Sequence, residues 1–471
     1  MLYNLFILFR VFFYQFLDIF TCKKTINYNK EMKSILDNYE KNNETISRQT
    51  NDIGTLFRKN TSLKKNNIFS IDNLNGIIDL DVENKTIDVG GKTRFYDIVK
   101  ETLKYNLIPK IVPELSSITV GGAICGISIE SSSFKYGWGH DTIVDMDVLT
   151  SSGDVLFCNK NNENRDLFNA IPNSYGTIGY VTRAKIELIH AKPYVKLVNH
   201  KFSTPEEAFE FIEISVKNKD ANFIDAVAFS SYEIYVILGF LSDSLPEDDE
   251  DDHCKLSKYP RYGIYYKSIK QLRFDVLTIY DYLWRWDADM FWGVTDVPIL
   301  KNNWFRWIFG RCFLNTRVLR ATQKLFLDCK KKRKRKNKEK IIQDLGVPKE
   351  NAIEFFNFIC KTIDKFPIWI CPVVPKKSDT YFWTFNENKL YYDIGVFTRK
   401  DRIHNDFFYN RALENKLLEL NGNKCFYSDT YLSKDKFDKL ICPRTYNWLK
   451  DRYDKNNRFG NLYEKVVTPI Y

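Results

Sequence analysis

The sequence predicts an α+β protein, and three observations carry that expectation. Residues 68–189 break into short apolar runs with turn signals between them, helix-period segments there are few, and strand signals return late, at PIWICPVV, KLYYDIGVF and KCFYSDTYL. The chain has 471 residues, 44% hydrophobic and 28% charged, a globular balance with room for two or three domains. Its formal net charge is +10, but residues 330–336 (KKKRKRK) hold seven positive charges in one run. A nucleic-acid binder spreads its basic residues over a face or groove, so this balance argues against that class. Ten cysteines without a CxxC pair and only five histidines argue against a disulfide scaffold and against structural zinc, and for a reducing compartment.

Taken in order, residues 2–20 (LYNLFILFRVFFYQFLDIF) are apolar but interrupted by Arg10, Gln15 and Asp18, and Lys23 and Lys24 follow. They read as a membrane-associating segment, either a marginal span with its lysine end cytoplasmic or an interfacial helix; a docked core helix is the alternative. No small-residue cleavage site follows. Residues 29–42 form a polar helical connector, and residues 77–91 (IIDLDVENKTIDVGG) a hairpin turning at Glu83-Asn84-Lys85. DIVKETLKYN is a short amphipathic helix, and VDMDVLTSSGDVLFC a second hairpin turning at Gly153-Asp154. Beyond Pro193 the chain becomes aromatic and helix-rich. The acidic run at residues 247–252 is a solvated loop, and the basic run is a solvated helix end, a loop or an anionic-lipid contact. The simplest division is a hydrophobic segment at 1–24, a first domain at 25–193 and a second at 194–471.

Several motifs fail. Val89-Gly90-Gly91-Lys92-Thr93 lacks the upstream glycine of a phosphate loop, Thr86 standing there, and no GxGxxG or GxSxG is present. Residues 113–139 (PELSSITVGGAICGISIESSSFKYGWG) remain. Gly121, Gly122 and Gly126 let backbone N–H groups approach a pyrophosphate, and Ser128, Ser131, Ser132 and Ser133 add hydroxyls. A glycine turn with capping serines is the competing reading.

Pro113-Glu114-Leu115, Thr119-Val120-Gly121-Gly122, Gly126, Ile129-Glu130-Ser131-Ser132-Ser133 and Lys135-Tyr136-Gly137 resemble the second flavin loop of vanillyl-alcohol-oxidase-type (PCMH-type) FAD domains. In wording the stretch is similar to the delta(24)-sterol reductase (diminuto/seladin) family. Ser152-Gly153-Asp154, Asp166-Leu167-Phe168 and Gly176-Thr177-Ile178-Gly179 resemble later landmarks of that domain. Phe291-Trp292, Phe366-Pro367-Ile368-Trp369, Leu390-Tyr391, Asp393-Ile394-Gly395, Tyr427, Asp429, Tyr431 and Leu462-Tyr463-Glu464 resemble the substrate half. The resemblance implies a two-subdomain PCMH-type FAD domain, then an α+β substrate domain, over nearly the whole chain. It implies a cofactor set of Thr119, Val120, Gly121, Gly122, Ala123, Ile124, Cys125, Gly126, Ile127, Ser128, Ile129, Glu130, Ser131, Gly176, Thr177 and Gly179. It further implies NADPH as electron donor, a sterol substrate and an endoplasmic-reticulum-like membrane location with the catalytic part facing the cytosol. No metal, nucleic acid or obligate protein partner is expected. Phe134 stands where the family can carry His, and the first flavin loop, residues 48–62, matches poorly and holds no His. A histidyl flavin link at that loop is therefore excluded, and FAD is expected to be non-covalent.

Reducing an isolated alkene needs an acid on one face, a hydride donor on the other and a dry slot. Trp284, Trp286, Trp292, Trp304, Trp307 and Trp383 are candidates to line the slot. For the acid, period-two spacing puts Tyr391 with Asp393, and Tyr427 with Asp429 and Tyr431, on common strand faces, where a carboxyl beside a phenol has its pKa raised. Tyr391, Asp393, Tyr427 and Asp429 are the catalytic candidates, with Glu130 and Lys135 organising the loop. The competing functions are another flavin-dependent alcohol or aldonolactone oxidoreductase of this fold, and a catalytically silent flavoprotein scaffold.

Overall fold

The computed structural model describes residues 25–39, 47–48, 68–245, 256–259, 263–289, 291–292, 302–316, 318, 338–377, 379–403 and 406–468. The hydrophobic segment, most of the first flavin loop and both charge runs lie outside the described residues.

Two mixed units with separate sheets follow one another, as the α+β expectation requires. A two-stranded parallel ladder, β1 (Ser47–Arg48) and β2 (Ile68–Phe69), precedes them. The first main sheet runs in the order β3 (Ile77–Asp81), β4 (Thr86–Gly90), β8 (Tyr180–His190), β6 (Ile143–Leu149), β7 (Val155–Asn159), with β5 (Leu107–Pro109) paired to β8. Both hairpins read from the sequence are present as β3–β4 and β6–β7. Lys85 and Gly153 take positive φ in their turns, which is what reverses the chain within so few residues. The helix Phe95–Thr102 buries Ile98 and Val99 against this sheet's core. The connector helix, Tyr28–Tyr39, buries Met32, Ile35 and Tyr39, three or four residues apart, and the Tyr39 hydroxyl donates to the carbonyls of Thr150 and Ser151.

Residues 191–193 carry the chain directly from β8 into β9 (Tyr194–Phe202) of the second sheet. That sheet has eight strands in the order β12 (Phe274–Thr278), β9, β11 (Glu233–Ser242), β10 (Phe223–Ser230), β14 (Ile368–Val373), β15 (Tyr391–Asp401), β13 (Lys338–Pro348), β16 (Asn423–Lys424). Period two divides its side chains cleanly. Ile224, Ala226, Ile370, Ile394 and Leu345 face the helices Pro205–Asn218, Lys349–Ile363 and Phe408–Glu419. Val227, Trp369, Cys371, Val373 and Tyr391 face the other way and share one core with Val120, Ile124 and Trp138 of the first unit. The last helix of any length, Pro443–Tyr453, returns to the first unit, where Lys450 Nζ donates to the Thr177 carbonyl at 3.2 Å and the Tyr453 hydroxyl to Asp166 at 2.7 Å.

One strand expectation fails. Within KCFYSDTYL only Lys424 is in a strand; residues 426–428 turn, so Tyr427, Asp429 and Tyr431 do not share a strand face. Among the described residues, no helix is long and apolar enough to cross a membrane.

Candidate active site

The glycine loop folds into a short helix, Val120–Gly126, capped by Thr119, whose side chain accepts from the Gly122 amide at 3.3 Å. Its first amides are used inside the protein. Val120 donates to Thr93, Gly121 to Gly91 and Ala123 to Thr119, at 2.8–2.9 Å. Those N–H groups are therefore not the pyrophosphate donors that the glycine spacing suggests. Gly121 is instead a packing position, since a Cβ there would lie 3.0 Å from the Gly91 carbonyl. Of residues 111–134 only Ser116, Ser117, Ile118, Thr119, Gly122, Cys125 and Ile127 are not buried, and they form one strip. Val120, Ala123, Ile124 and Ile129 point into the core.

Along that strip the chain leaves room. A Cβ on Gly122 would lie 3.0 Å from the Thr119 hydroxyl, a side chain that can rotate away, unlike the Gly91 backbone, and one on Gly126 would lie 3.6 Å from the Tyr175 ring. Ile127 is held at φ +62°, a strained setting for a β-branched residue. The buried hydroxyls of Ser117 and Ser128 have no hydrogen-bond partner among the described residues. Orphaned hydroxyls beside open glycines fit a cofactor that brings its own polar atoms. The second landmark lies against this strip: Tyr175 donates from its amide to Cys125 and from its hydroxyl to Gly126. Gly176, with φ +73°, follows. Thr177 and Gly179 are otherwise engaged. The Thr177 hydroxyl donates to the Ser174 carbonyl at 2.8 Å, and a Cβ on Gly179 would sit 2.4 Å from Val148 Cγ1, so that glycine serves packing.

Glu130 and Ser131 tie the loop to the second sheet. Arg285, fully buried, donates from Nη2 to Glu130 at 2.8 Å and to Asp225 of β10 at 2.9 Å, and its guanidinium lies 4.0 Å from the Tyr282 ring centre. Ser131 Oγ bonds Glu130 at 2.6 Å and the Tyr282 hydroxyl at 2.8 Å, and Trp369 Nε1 reaches Asp225 at 3.2 Å. Cys371 Sγ of β14 contacts the Glu130 carbonyl at 3.3 Å, which brings the sheet against the loop. Arg285 and Asp225 carry no local sequence signal; only the fold assembles them.

Next to Cys371 across the β14–β15 ladder stands Asp393. Its side chain is fully buried, and neither oxygen has a hydrogen-bond partner among the described residues. Burial, reinforced by the charge of Asp344, pushes its pKa well above the usual carboxylate range. Asp344, on β13, is pushed up to about 6 by burial, against which a hydrogen bond from Tyr427 works. Glu114 is a third buried acid raised by burial and by Glu130. The phenol–carboxyl pair expected here therefore exists with a different carboxyl: Tyr427 meets Asp344, while Asp429 pairs with Lys340 at 3.1 Å. Tyr391 and Asp393 do share a face of β15, but the Tyr391 hydroxyl accepts the Asn386 amide at 3.0 Å.

Two aromatic clusters reach the acid-bearing strands, through Phe385 at Gly346 and Trp369 at Gly395. Trp138, Trp383, Phe385 and Tyr391 form one cluster with centroids 4.6–5.4 Å apart, and Trp286, Phe291 and Trp369 another at 5.4–5.9 Å. Trp284, Trp286, Trp292 and Trp383 are buried, whereas Trp304 and Trp307 are 69% and 49% exposed.

A family model for FAD binding domains matches residues 30–159. The delta(24)-sterol reductase homolog of Caenorhabditis elegans is 27% identical over 84% of this chain and 78% of its own length. The delta(24)-sterol reductase of Homo sapiens is 28% identical over 76% and 69%, and that of Arabidopsis thaliana 24% over 86% and 78%. The chain is similar to the delta(24)-sterol reductases over most of its length. Cytokinin dehydrogenase 1 of Arabidopsis thaliana matches 25% of the chain at 30% identity, a much shorter stretch. Likeness to the reductases thus extends over both sheets, including the strands that carry Asp344 and Asp393.

Proposed function

We propose that this chain is an FAD-dependent oxidoreductase that reduces the side-chain delta-24 double bond of a sterol, with NADPH as electron donor. The observation that carries the reading is Asp393, a buried carboxyl without a hydrogen-bond partner among the described residues, one strand from the glycine loop, with the Phe385 ring against Gly346 opposite it. Similarity to the sterol reductases over most of the chain supports the substrate class. FAD, held non-covalently along Ser116 to Thr119, Gly122, Cys125, Gly126 and Ile127, supplies hydride when bound in reduced form.

The residues of the chain supply the rest. Asp393, protonated because it is buried, donates its proton to the less substituted alkene carbon. The positive charge then falls on the tertiary carbon, where ring faces such as Trp383 and Phe385 stabilise it and exclude water. Arg285 holds Glu130 and Asp225 together, and with them the loop against the sheet. Membrane association through residues 2–20, with a cytosol-facing endoplasmic-reticulum location, belongs to the same reading and suits a sterol substrate.

The test is anaerobic. The full chain is purified in detergent, its visible spectrum recorded, and NADPH and a delta-24 sterol added in turn. Bleaching by NADPH followed by sterol-dependent recovery is expected. A flavin that ignores both reagents, or bleaches and recovers only with an alcohol-derived substrate, overturns the sterol assignment, and a chain without flavin leaves a scaffold.

A further inference from the structure

Asp393 does not stand alone on its sheet face. In the β13–β15 ladder Gly346 lies opposite Asp393, and Asp344 lies opposite Gly395. Opposite residues of an antiparallel pair share a face, so all four positions point the same way, and the two aspartates are diagonal neighbours. Both glycines are notches. A Cβ on Gly395 would lie 3.1 Å from Asp344 Oδ1 and 3.3 Å from the Trp369 ring, so the missing side chain is what leaves room for the Asp344 carboxyl over β15. A Cβ on Gly346 would lie 2.9 Å from the Phe385 ring, which closes the space over Asp393.

The groups around this pair are Tyr427 and Cys425 from the turn after β16, Cys371 from β14, and Glu114 from the loop. Two cations belong to this network and both are already paired: Arg285 with Glu130 and Asp225, and buried Lys424 with Glu414 at 2.7 Å. A fully buried carboxylate and a half-buried one on neighbouring positions of one sheet face, with no ion pair to either among the described residues, resist being ionised together. Tyr427 donates to Asp344, which favours charge on that member, while among the described residues nothing donates to Asp393.

We propose that Asp344 and Asp393 are a single proton-holding pair, in which Tyr427 keeps Asp344 ionised and Asp393 carries the proton delivered to the alkene. The proposal rests on the sterol-reductase reading for its substrate. In the step, the Asp393 O–H bond breaks as a C–H bond forms at the less substituted carbon. Hydride from the reduced flavin, itself recharged by NADPH, completes the saturated bond, and the pair regains one proton from water before the next turnover. Asp344 is a positioning residue, acting through the proton affinity of Asp393.

The test uses the full FAD-loaded chain and infrared titration of protonated carboxyl C=O stretches, with Glu114→Gln identifying the Glu114 band. One further protonated carboxyl is expected at neutral pH, absent in Asp393→Asn. In Asp344→Asn its midpoint should move down by at least about one pH unit, a tenfold change in proton affinity, because the repelling charge is gone. The alkaline limb of sterol turnover should move with it, and Asp393→Asn should lose turnover by roughly a hundredfold or more. A band that survives Asp393→Asn, or a midpoint unmoved in Asp344→Asn, overturns the pair. Because the titration needs no sterol, its success with no sterol reduction overturns the substrate reading and leaves the pair standing; sterol reduction without the titration does the reverse.

Discussion

At the scale of single residues, burial decides the chemistry, and His140 shows it outside the site. Burial, with the Lys377 charge adding to it, depresses the His140 pKa to about 3. Its folded pKa lies below the unfolded value, so its contribution to stability is complete above about pH 6.5 and is lost as pH falls toward 3. The loss runs at up to about 1.4 kcal/mol per pH unit. His140→Asn should therefore flatten the acid side of a melting-temperature profile, and an unchanged slope would refute this. At the site the sequence reaches part of the way. Period two places Tyr391 and Asp393 on one face, as the ladder has them. Asp344 is invisible beforehand, because IIQDLGV reads as an ordinary buried strand and the partner that matters lies on a strand almost fifty residues away. Spacing alone sets Tyr427 beside Asp429, because no local signal shows that the chain turns there.

At the scale of elements, glycines separate packing from cofactor approach. Gly179→Ala pushes a methyl into Val148, and overpacking of this kind costs about 1–3 kcal/mol in urea unfolding. Gly126→Ala, with 3.6 Å to its nearest ring, should leave apo stability unchanged or slightly raised, since alanine favours a helix. It should nevertheless weaken FAD by at least about tenfold in a fluorescence titration if the strip holds the cofactor. Equal losses of stability would remove the distinction. Sequence spacing marks both glycines as one motif class, because it cannot tell which side of a turn carries a neighbour. Turn chemistry is more legible. Glu83-Asn84-Lys85 and Gly153-Asp154 close their hairpins where local residues demand it, while KCFYSDTYL alternates like a strand and bends because tertiary contacts of Tyr427 and Asp429 win.

At the scale of the molecule, the buried Arg285 bridge between loop and sheet should be worth most. Arg285→Met strands Glu130 and Asp225 without their cation, and a loss of about 3–5 kcal/mol is expected in denaturant unfolding, with a weaker hold on FAD. A loss below about 1 kcal/mol would mean that the two units are joined chiefly by the shared apolar core. Saturating the protein with FAD at about a hundred times its dissociation constant should add about 2.7 kcal/mol to wild-type stability, read as a rise in melting temperature. The order of strands along the chain has one more consequence. The six-stranded sheet is complete once His190 is made, and the glycine loop is inside it, whereas the eight-stranded sheet waits for Lys424. On the ribosome the strands of the first sheet can therefore pair early, whereas the core they share with the second sheet, and the docking of Pro443–Tyr453 against Thr177 and Asp166, wait for the rest of the chain, so that the glycine loop is finished last from outside its own half.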